Sequence, residues 1–156
     1  MIARRRASTA LRANGPAWRV DRMRAVKVLL VSPDPRSREL MALTVSGIER
    51  RLGEPLEFLE ASNGERGVRV AFRERPDAVV ADEIASRAGA FALAKDLRGA
   101  LEPYPGVIVI LLDRRQDAWL AEWSGADAWF VKPVDPFELA ERLLALVRAT
   151  ERKETA

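Results

Sequence analysis

Two reactive residue types are missing from this chain of 156 residues, which contains no cysteine and no histidine. Without thiols, disulfide frameworks, thiolate zinc sites and cysteine nucleophiles are excluded. Without imidazoles, histidine metal sites and Ser-His-Asp catalysis are excluded too. Long apolar runs are also missing, because the longest, Val107 to Leu112, has the length of a buried strand rather than of a membrane span. Side-chain chemistry must therefore use carboxylates, hydroxyls, lysine or arginine.

The composition, 48% hydrophobic and 31% charged, is typical of a globular protein. The net charge of +3 is unevenly placed, because residues 1–26 carry seven arginines against one aspartate, which leaves the remainder at −3. We therefore predict a basic, flexible N-terminal tail over residues 1–25, a folded domain over 26–150 and a C-terminal tail over 151–156. The basic segment lacks the apolar core and cleavage site of a secretory signal, so we expect a cytoplasmic protein.

Short apolar runs alternate with longer segments of helical spacing from Lys27 onward. The first helix is predicted over Arg36–Leu52, with Leu40, Leu43 and Ile48 among its apolar positions. The second run alternates apolar and acidic residues, as an edge strand with one wet face does. The predicted strands are Val28–Val31, Leu56–Ala61, Ala78–Ala81, Val107–Leu112 and Trp129–Val131. This pattern predicts an α/β fold with a doubly wound five-stranded parallel sheet in the order 2-1-3-4-5.

Polar groups follow several of these strands and should meet at one edge of the sheet. They include Asp82 after the third strand and Lys132 after the fifth. A carboxylate that faces an ammonium group is the minimum needed to form an acyl phosphate, because the carboxylate is the nucleophile and the cation offsets the phosphoryl charge.

Several stretches resemble the receiver domain of bacterial response regulators, and the likeness covers about residues 26–148. They are Lys27–Val31, Arg75–Asp82 (RPDAVVAD), Gly125–Pro133 (GADAWFVKP) and Asp135–Leu139 (DPFEL). The resemblance implies a flavodoxin-like receiver fold and a role in a two-component phosphorelay. It implies that Asp82 accepts phosphate from a histidine kinase or phosphotransfer protein, that Lys132 contacts the phosphoryl group, and that the Lys132–Pro133 bond is cis.

The family's acidic pair, which helps to hold Mg²⁺, falls on Ser32 and Pro33 in this chain. Proline offers no side-chain ligand, and a neutral serine replaces carboxylate poorly for a hard cation. The remaining candidate metal ligands are Asp34 and Asp82, so Mg²⁺ binding is expected to be weak or absent. Asp34 is equally natural as a turn residue before proline.

The family's switching hydroxyl falls on Leu111, or on Leu112 or Ile110, none of which can hydrogen-bond a phosphoryl group. Trp129 occupies the position of the switching aromatic residue. Trp119 and Trp123 lie close to it in the sequence, on the face through which family members meet partners, although half-buried packing explains such tryptophans as well.

The function predicted from these features is a single-domain receiver that acts by contact with a downstream protein, since the chain ends soon after the last helix. One alternative is a pseudo-receiver that signals without phosphorylation, with Asp82 and Lys132 as a structural ion pair. An alternative of another class is binding of nucleic acid or an anionic membrane through Arg4 to Arg24. An enzyme is not expected, because the edge has no imidazole, thiol or glycine-rich phosphate loop.

Overall fold

A computed structural model describes residues 4–6, 25–49, 53, 55–83 and 89–155 of the chain. The strands are β1 (Arg4–Arg6), β2 (Val26–Val31), β3 (Leu56–Ala61), β4 (Ala78–Asp82), β5 (Val107–Leu112) and β6 (Ala128–Val131). The helices are α1 (Pro35–Ser46), α2 (Gly64–Glu74), α3 (Ala90–Gly99), α4 (Ala118–Ser124) and α5 (Pro136–Thr155), and a 3-10 turn (Arg115–Asp117) precedes α4.

The sheet has the order β1-β3-β2-β4-β5-β6. Strands β2 to β6 are all parallel, which confirms the predicted order 2-1-3-4-5 for the five parallel strands. Beyond them, β1 pairs antiparallel with β3 and places Arg5 opposite Phe58. The sequence did not predict β1, because three consecutive arginines show no alternation of apolar and polar residues. Apart from residues 4–6 and 25, the predicted N-terminal tail lies outside the described residues. Most of the arginines in the hypothesis that Arg4 to Arg24 bind nucleic acid or a membrane lie there too.

The prediction that the Leu56–Ala61 strand is an edge strand with one wet face is wrong. Strand β3 lies between β1 and β2, and all six of its residues are buried, including Glu57 and Glu60. The Arg38 guanidinium from α1 pairs with Glu60, with Nε 3.2 Å from Oε1. A buried carboxylate needs such a partner, and the alternating sequence alone does not reveal it.

Two apolar layers cover the sheet, one on each face. Helices α1 and α5 form the first layer, and α2, α3 and α4 form the second. Alternate residues of β5 point into opposite layers: Val107, Val109 and Leu111 into the first and Ile108, Ile110 and Leu112 into the second. This arrangement explains why β5 is apolar throughout.

Two of the apolar positions predicted to be buried in the first helix are exposed. Leu40 and Leu43 are 65% and 72% exposed, whereas Met41, Val45 and the predicted Ile48 are buried. Both Leu40/Leu43 and Met41/Val45 have near-helical spacing, so periodicity could not choose between them. Helix α1 also ends at Ser46 instead of at residue 52.

Helix α5 continues to Thr155, so the segment predicted as a C-terminal tail from residue 151 is helical as far as that residue. The residues that extend it, Glu151 to Glu154, are good helix formers, and no glycine or proline interrupts them. Neither α5 nor any other described helix is long and apolar enough to cross a membrane.

Two aspartates from the stretches that resemble receiver domains bind the backbone at the amino ends of β2 and β5. The carboxylate of Asp77 accepts a hydrogen bond from the backbone N–H of Lys27 at 2.9 Å. The carboxylate of Asp127 accepts from the backbone N–H of Ile108 at 2.7 Å and from Nη2 of Arg98 at 2.6 Å. These hydrogen bonds stabilise the starts of β2 and β5. They lie at the opposite end of the sheet from Asp82 and Lys132.

Candidate functional site

The carboxyl edge of the sheet brings Asp82 and Lys132 into contact, as the sequence placed them. Asp82 is the last residue of β4, and Lys132 follows β6 with a cis bond to Pro133. Nζ of Lys132 lies 2.5 Å from Oδ1 of Asp82. The Asp82 side chain is 4% exposed and that of Lys132 is 27% exposed, so the carboxylate is buried and the lysine is the more solvent-accessible partner.

A second carboxylate, that of Asp113, also binds Lys132. Its Oδ1 lies 2.7 Å from Nζ, and its side chain is 41% exposed. Burial would lower the pKa of Lys132, but the hydrogen bonds to Asp113 and Asp82 outweigh burial and hold this pKa above its ordinary value. Asp113 was not among the site residues predicted from the sequence. Its position directly after β5, beside the end of β4, was the available signal.

The loop that carries Asp113 is fastened to the end of β4 through Glu83. The backbone N–H of Glu83 donates to the carbonyl of Leu111 at 2.9 Å, and the backbone N–H of Asp113 donates to Oε2 of Glu83 at 2.6 Å. Burial and a hydrogen bond to Asp117 raise the pKa of Glu83, and the same hydrogen bond lowers the pKa of Asp117. Arg114 holds Asp117 from the other side, with Nε 3.3 Å from Oδ2. The backbone at Asp113 is therefore held by a chain of hydrogen bonds that runs through Glu83 to Leu111.

The structure does not bring Asp34 into this cluster. Asp34 is the N-cap of α1, where its Oδ1 accepts from the backbone N–H of Arg36 at 3.0 Å and its Oδ2 from the hydroxyl of Ser37 at 3.1 Å. The hydroxyl of Ser32, in contrast, lies 3.5 Å from Oδ2 of Asp82. Asp34 was predicted to be either a metal ligand or a turn residue before proline. The turn residue matches the observed geometry, because both carboxylate oxygens accept hydrogen bonds from the first turn of α1.

These donors do not fit a magnesium site. Asp82 is the candidate ligand that lies at the carboxyl edge of the sheet, and it is ion-paired with Lys132. The neutral hydroxyl of Ser32 lies beside Asp82, where the family's acidic pair would supply carboxylates. Mg²⁺ demands octahedral oxygen ligation and is usually held by carboxylates. In the part of the chain that the structure describes, no three acidic side chains are grouped to hold a metal ion.

Leu111 lies directly beside Asp82. The two residues are register partners on β5 and β4, so their side chains project from the same face of the sheet. Ile110 and Leu112, the other two candidates for the hydroxyl position, project from the opposite face. Leu111 is 5% exposed and packs in the layer formed with α1 and α5. The position next to the carboxylate therefore holds an apolar side chain.

The three tryptophans in the described part of the chain divide into two groups. Trp129 is half-buried on β6 beside Ile110, with the Arg115 guanidinium 5.9 Å from its ring centre. Trp119 and Trp123 are 64% and 58% exposed, one helical turn apart on α4. The ammonium group of Lys95 lies 4.2 Å from the ring centre of Trp123. The structure thus separates a sheet tryptophan from two surface tryptophans.

No family model matches the chain. It is 32% identical over 132 residues to an uncharacterized response regulatory protein of Mycobacterium tuberculosis, which covers 83% of this chain and 96% of that protein. It is 29% identical to the alkaline phosphatase synthesis transcriptional regulatory protein PhoP of Bacillus subtilis, of which it spans 50%.

Solved structures give the same family. The BeF3-activated N-terminal receiver domain of RstA from Klebsiella pneumoniae matches with a TM-score of 0.65 and 28% identity, over 78% of this chain and 98% of that one. The receiver domain of a histidine kinase from Syntrophus aciditrophicus, at 24% identity and a TM-score of 0.69, shares the fold over 82% of this chain and 94% of that one. A relative above 30% identity that matches over nearly its whole length, together with this fold, shows that the chain belongs to the response regulators and carries their receiver domain.

Proposed function

We propose that Asp82 accepts a phosphoryl group from a histidine kinase or a phosphotransfer protein, and that the domain passes the signal on by contact with a downstream protein. The observation that carries the proposal is the 2.5 Å contact between the Lys132 ammonium and Asp82 Oδ1 at the carboxyl edge of the sheet. This geometry offers a nucleophile together with a cation that offsets the charge of the transferred group.

In the transfer step, a carboxylate oxygen of Asp82 forms a bond to phosphorus while the bond between phosphorus and the donor's imidazole nitrogen breaks. The nitrogen keeps the electron pair of that bond and can take a proton from water. The product is an acyl phosphate, whose phosphoryl oxygens carry nearly two negative charges near neutral pH. Lys132 lies where it can donate a charge-assisted hydrogen bond to one of them.

A small donor such as acetyl phosphate or phosphoramidate tests the proposal without a known kinase. Intact-mass spectrometry should show one added phosphoryl group on the wild-type chain, and hydroxylamine should remove it, because acyl phosphates are cleaved by this nucleophile. Asp82→Asn should show no addition. Asp135→Asn, which changes an exposed acid at the start of α5, is the control and should be labelled like the wild type. Absence of label on a folded wild-type chain would refute the proposal.

A second candidate, a pseudo-receiver that signals without phosphate, is favoured by Leu111 beside Asp82 and by the commitment of Asp34 to the α1 cap. In that case the exposed Trp119 and Trp123 carry the contact whatever the state of Asp82. The two candidates differ in cells: Asp82→Asn should destroy the signal if phosphate is needed and leave it intact if it is not. Correct folding of the variant is checked by its melting curve.

A further inference from the structure

Lys132 is shared by two carboxylates before any phosphoryl group arrives. Its Nζ lies 2.5 Å from Asp82 and 2.7 Å from Asp113. We propose that Asp113 is a positioning residue that competes with the phosphoryl group for Lys132 and thereby slows phosphoryl acceptance at Asp82. This inference rests on the proposed phosphoacceptor function and adds a residue that regulates it.

The charges at the site give the reason. Two carboxylates and one ammonium group leave this trio at −1, and conversion of Asp82 to its acyl phosphate replaces one negative charge by nearly two. A single cation then faces nearly three negative charges. Unless Asp113 withdraws, it repels the incoming group and occupies a donor that the group would use. Without the Asp113 charge, the same step would begin from a neutral pair.

Asp113 is held in place by the protein and not only by its charge. Its backbone N–H donates to Oε2 of Glu83 at 2.6 Å, and Glu83 in turn binds the carbonyl of Leu111 at 2.9 Å through its own N–H. Its partial exposure, 41%, leaves room for the side chain to swing into solvent. Asp113 can therefore hold Lys132 at rest and release it when a phosphoryl group is bound.

The test compares phosphorylation rates of the full chain with acetyl phosphate, followed by intact-mass spectrometry. Asp113→Asn keeps the side-chain shape and removes the charge, so the rate constant for acyl phosphate formation should rise about threefold to fivefold, the upper part of the range for a partly exposed ion pair. Asp113→Glu keeps the charge and should stay within about twofold of the wild type. Beryllofluoride, a phosphoryl mimic, should bind Asp113→Asn more tightly by a similar factor.

Asp135→Asn is the matched control, because it removes one negative charge at the same edge of the sheet while asparagine still caps α5. It should not accelerate the reaction. Asp113→Ser, which also removes the charge, supplies the measurement if Asp113→Asn melts earlier than the wild type.

Two results separate the inference from the proposed function. Equal rate constants for labelling of the wild type and Asp113→Asn would overturn the inference, and so would an equal acceleration by Asp135→Asn. Either result would leave phosphorylation of Asp82 standing. Absence of label on every variant that keeps Asp82 would overturn both.

Discussion

Replacing Leu111 by threonine tests whether a missing hydroxyl uncouples Asp82 from the rest of the sheet. Leu111 is the register partner of Asp82 and shares its face, so threonine would place a hydroxyl beside the site of phosphorylation. Leu111→Val is the matched control, because valine has nearly the shape of threonine without the hydroxyl. A response confined to the threonine variant therefore reports the hydrogen bond alone.

Two magnitudes follow from the position of Leu111. The side chain is 5% exposed and packs against α1 and α5, so Leu111→Val, which removes one buried methylene, should lose about 1 kcal/mol of unfolding free energy. Leu111→Thr should lose about 2 to 4 kcal/mol, because it also buries a hydroxyl. A hydrogen bond from the threonine hydroxyl to a charged phosphoryl oxygen contributes about 1.5 to 3 kcal/mol. If that bond forms in only one of two sheet conformations, it shifts their equilibrium by about tenfold to 150-fold.

The assay follows the indole N–H resonance of Trp129 by NMR as beryllofluoride is added, with the resonance assigned from Trp129→Phe. Trp129 lies on β6 beside Ile110, one residue from Leu111 along β5, and is half-buried, so it reports a movement of this part of the sheet. We expect small changes in the wild type and in Leu111→Val, and a clear second resonance or a large shift in Leu111→Thr. The reasoning is refuted if the wild type responds as strongly as the threonine variant, or if the valine and threonine variants respond alike.

Three further outcomes are expected. Isothermal titration with Mg²⁺ should give millimolar or weaker affinity, because Asp82 is ion-paired with Lys132 and Asp34, the other candidate ligand, caps α1; a micromolar affinity lost in Asp82→Asn would contradict this. Tyr104→Phe should lower the unfolding free energy by about 1 to 3 kcal/mol in urea denaturation, because it leaves the buried carbonyl of Pro76, 2.6 Å from the Tyr104 hydroxyl, without its donor; an unchanged midpoint would show that the bond is dispensable. Because the folded pKa of Glu83 lies above its ordinary 4.5, the native chain holds a proton that the unfolded chain has lost, and wild-type stability should fall as pH rises through that window. Glu83→Gln keeps a hydrogen-bond donor for Asp117 at every pH, so its stability relative to the wild type should rise with pH above about 4.5; a difference that is constant with pH would argue against the shared proton.

The sequence by itself determined the alternation of strands and helices, the order of the parallel sheet and the meeting of Asp82 with Lys132. The alternation follows from patterns that are local in the chain, such as the apolar run Val107–Leu112, which is typical of a strand buried on both faces. The order 2-1-3-4-5 is the common one for a doubly wound sheet of five parallel strands. Residues that directly follow parallel strands also reach the same edge of the sheet whatever the loops do. For that reason the pairing of Asp82 with Lys132 needed no knowledge of loop conformation.

Only the tertiary structure decided which side chains complete the site. Asp34 and Asp113 both follow parallel strands, yet the first caps α1 and the second binds Lys132. The direction of a loop side chain depends on backbone dihedral angles and on distant partners, here the Glu83 carboxylate that holds Asp113. Strand β1 likewise has no apolar pattern of its own, and it forms because the free edge of β3 offers unpaired backbone groups to it. Such contacts join residues far apart in the chain, so their geometry exists only once the sheet has assembled.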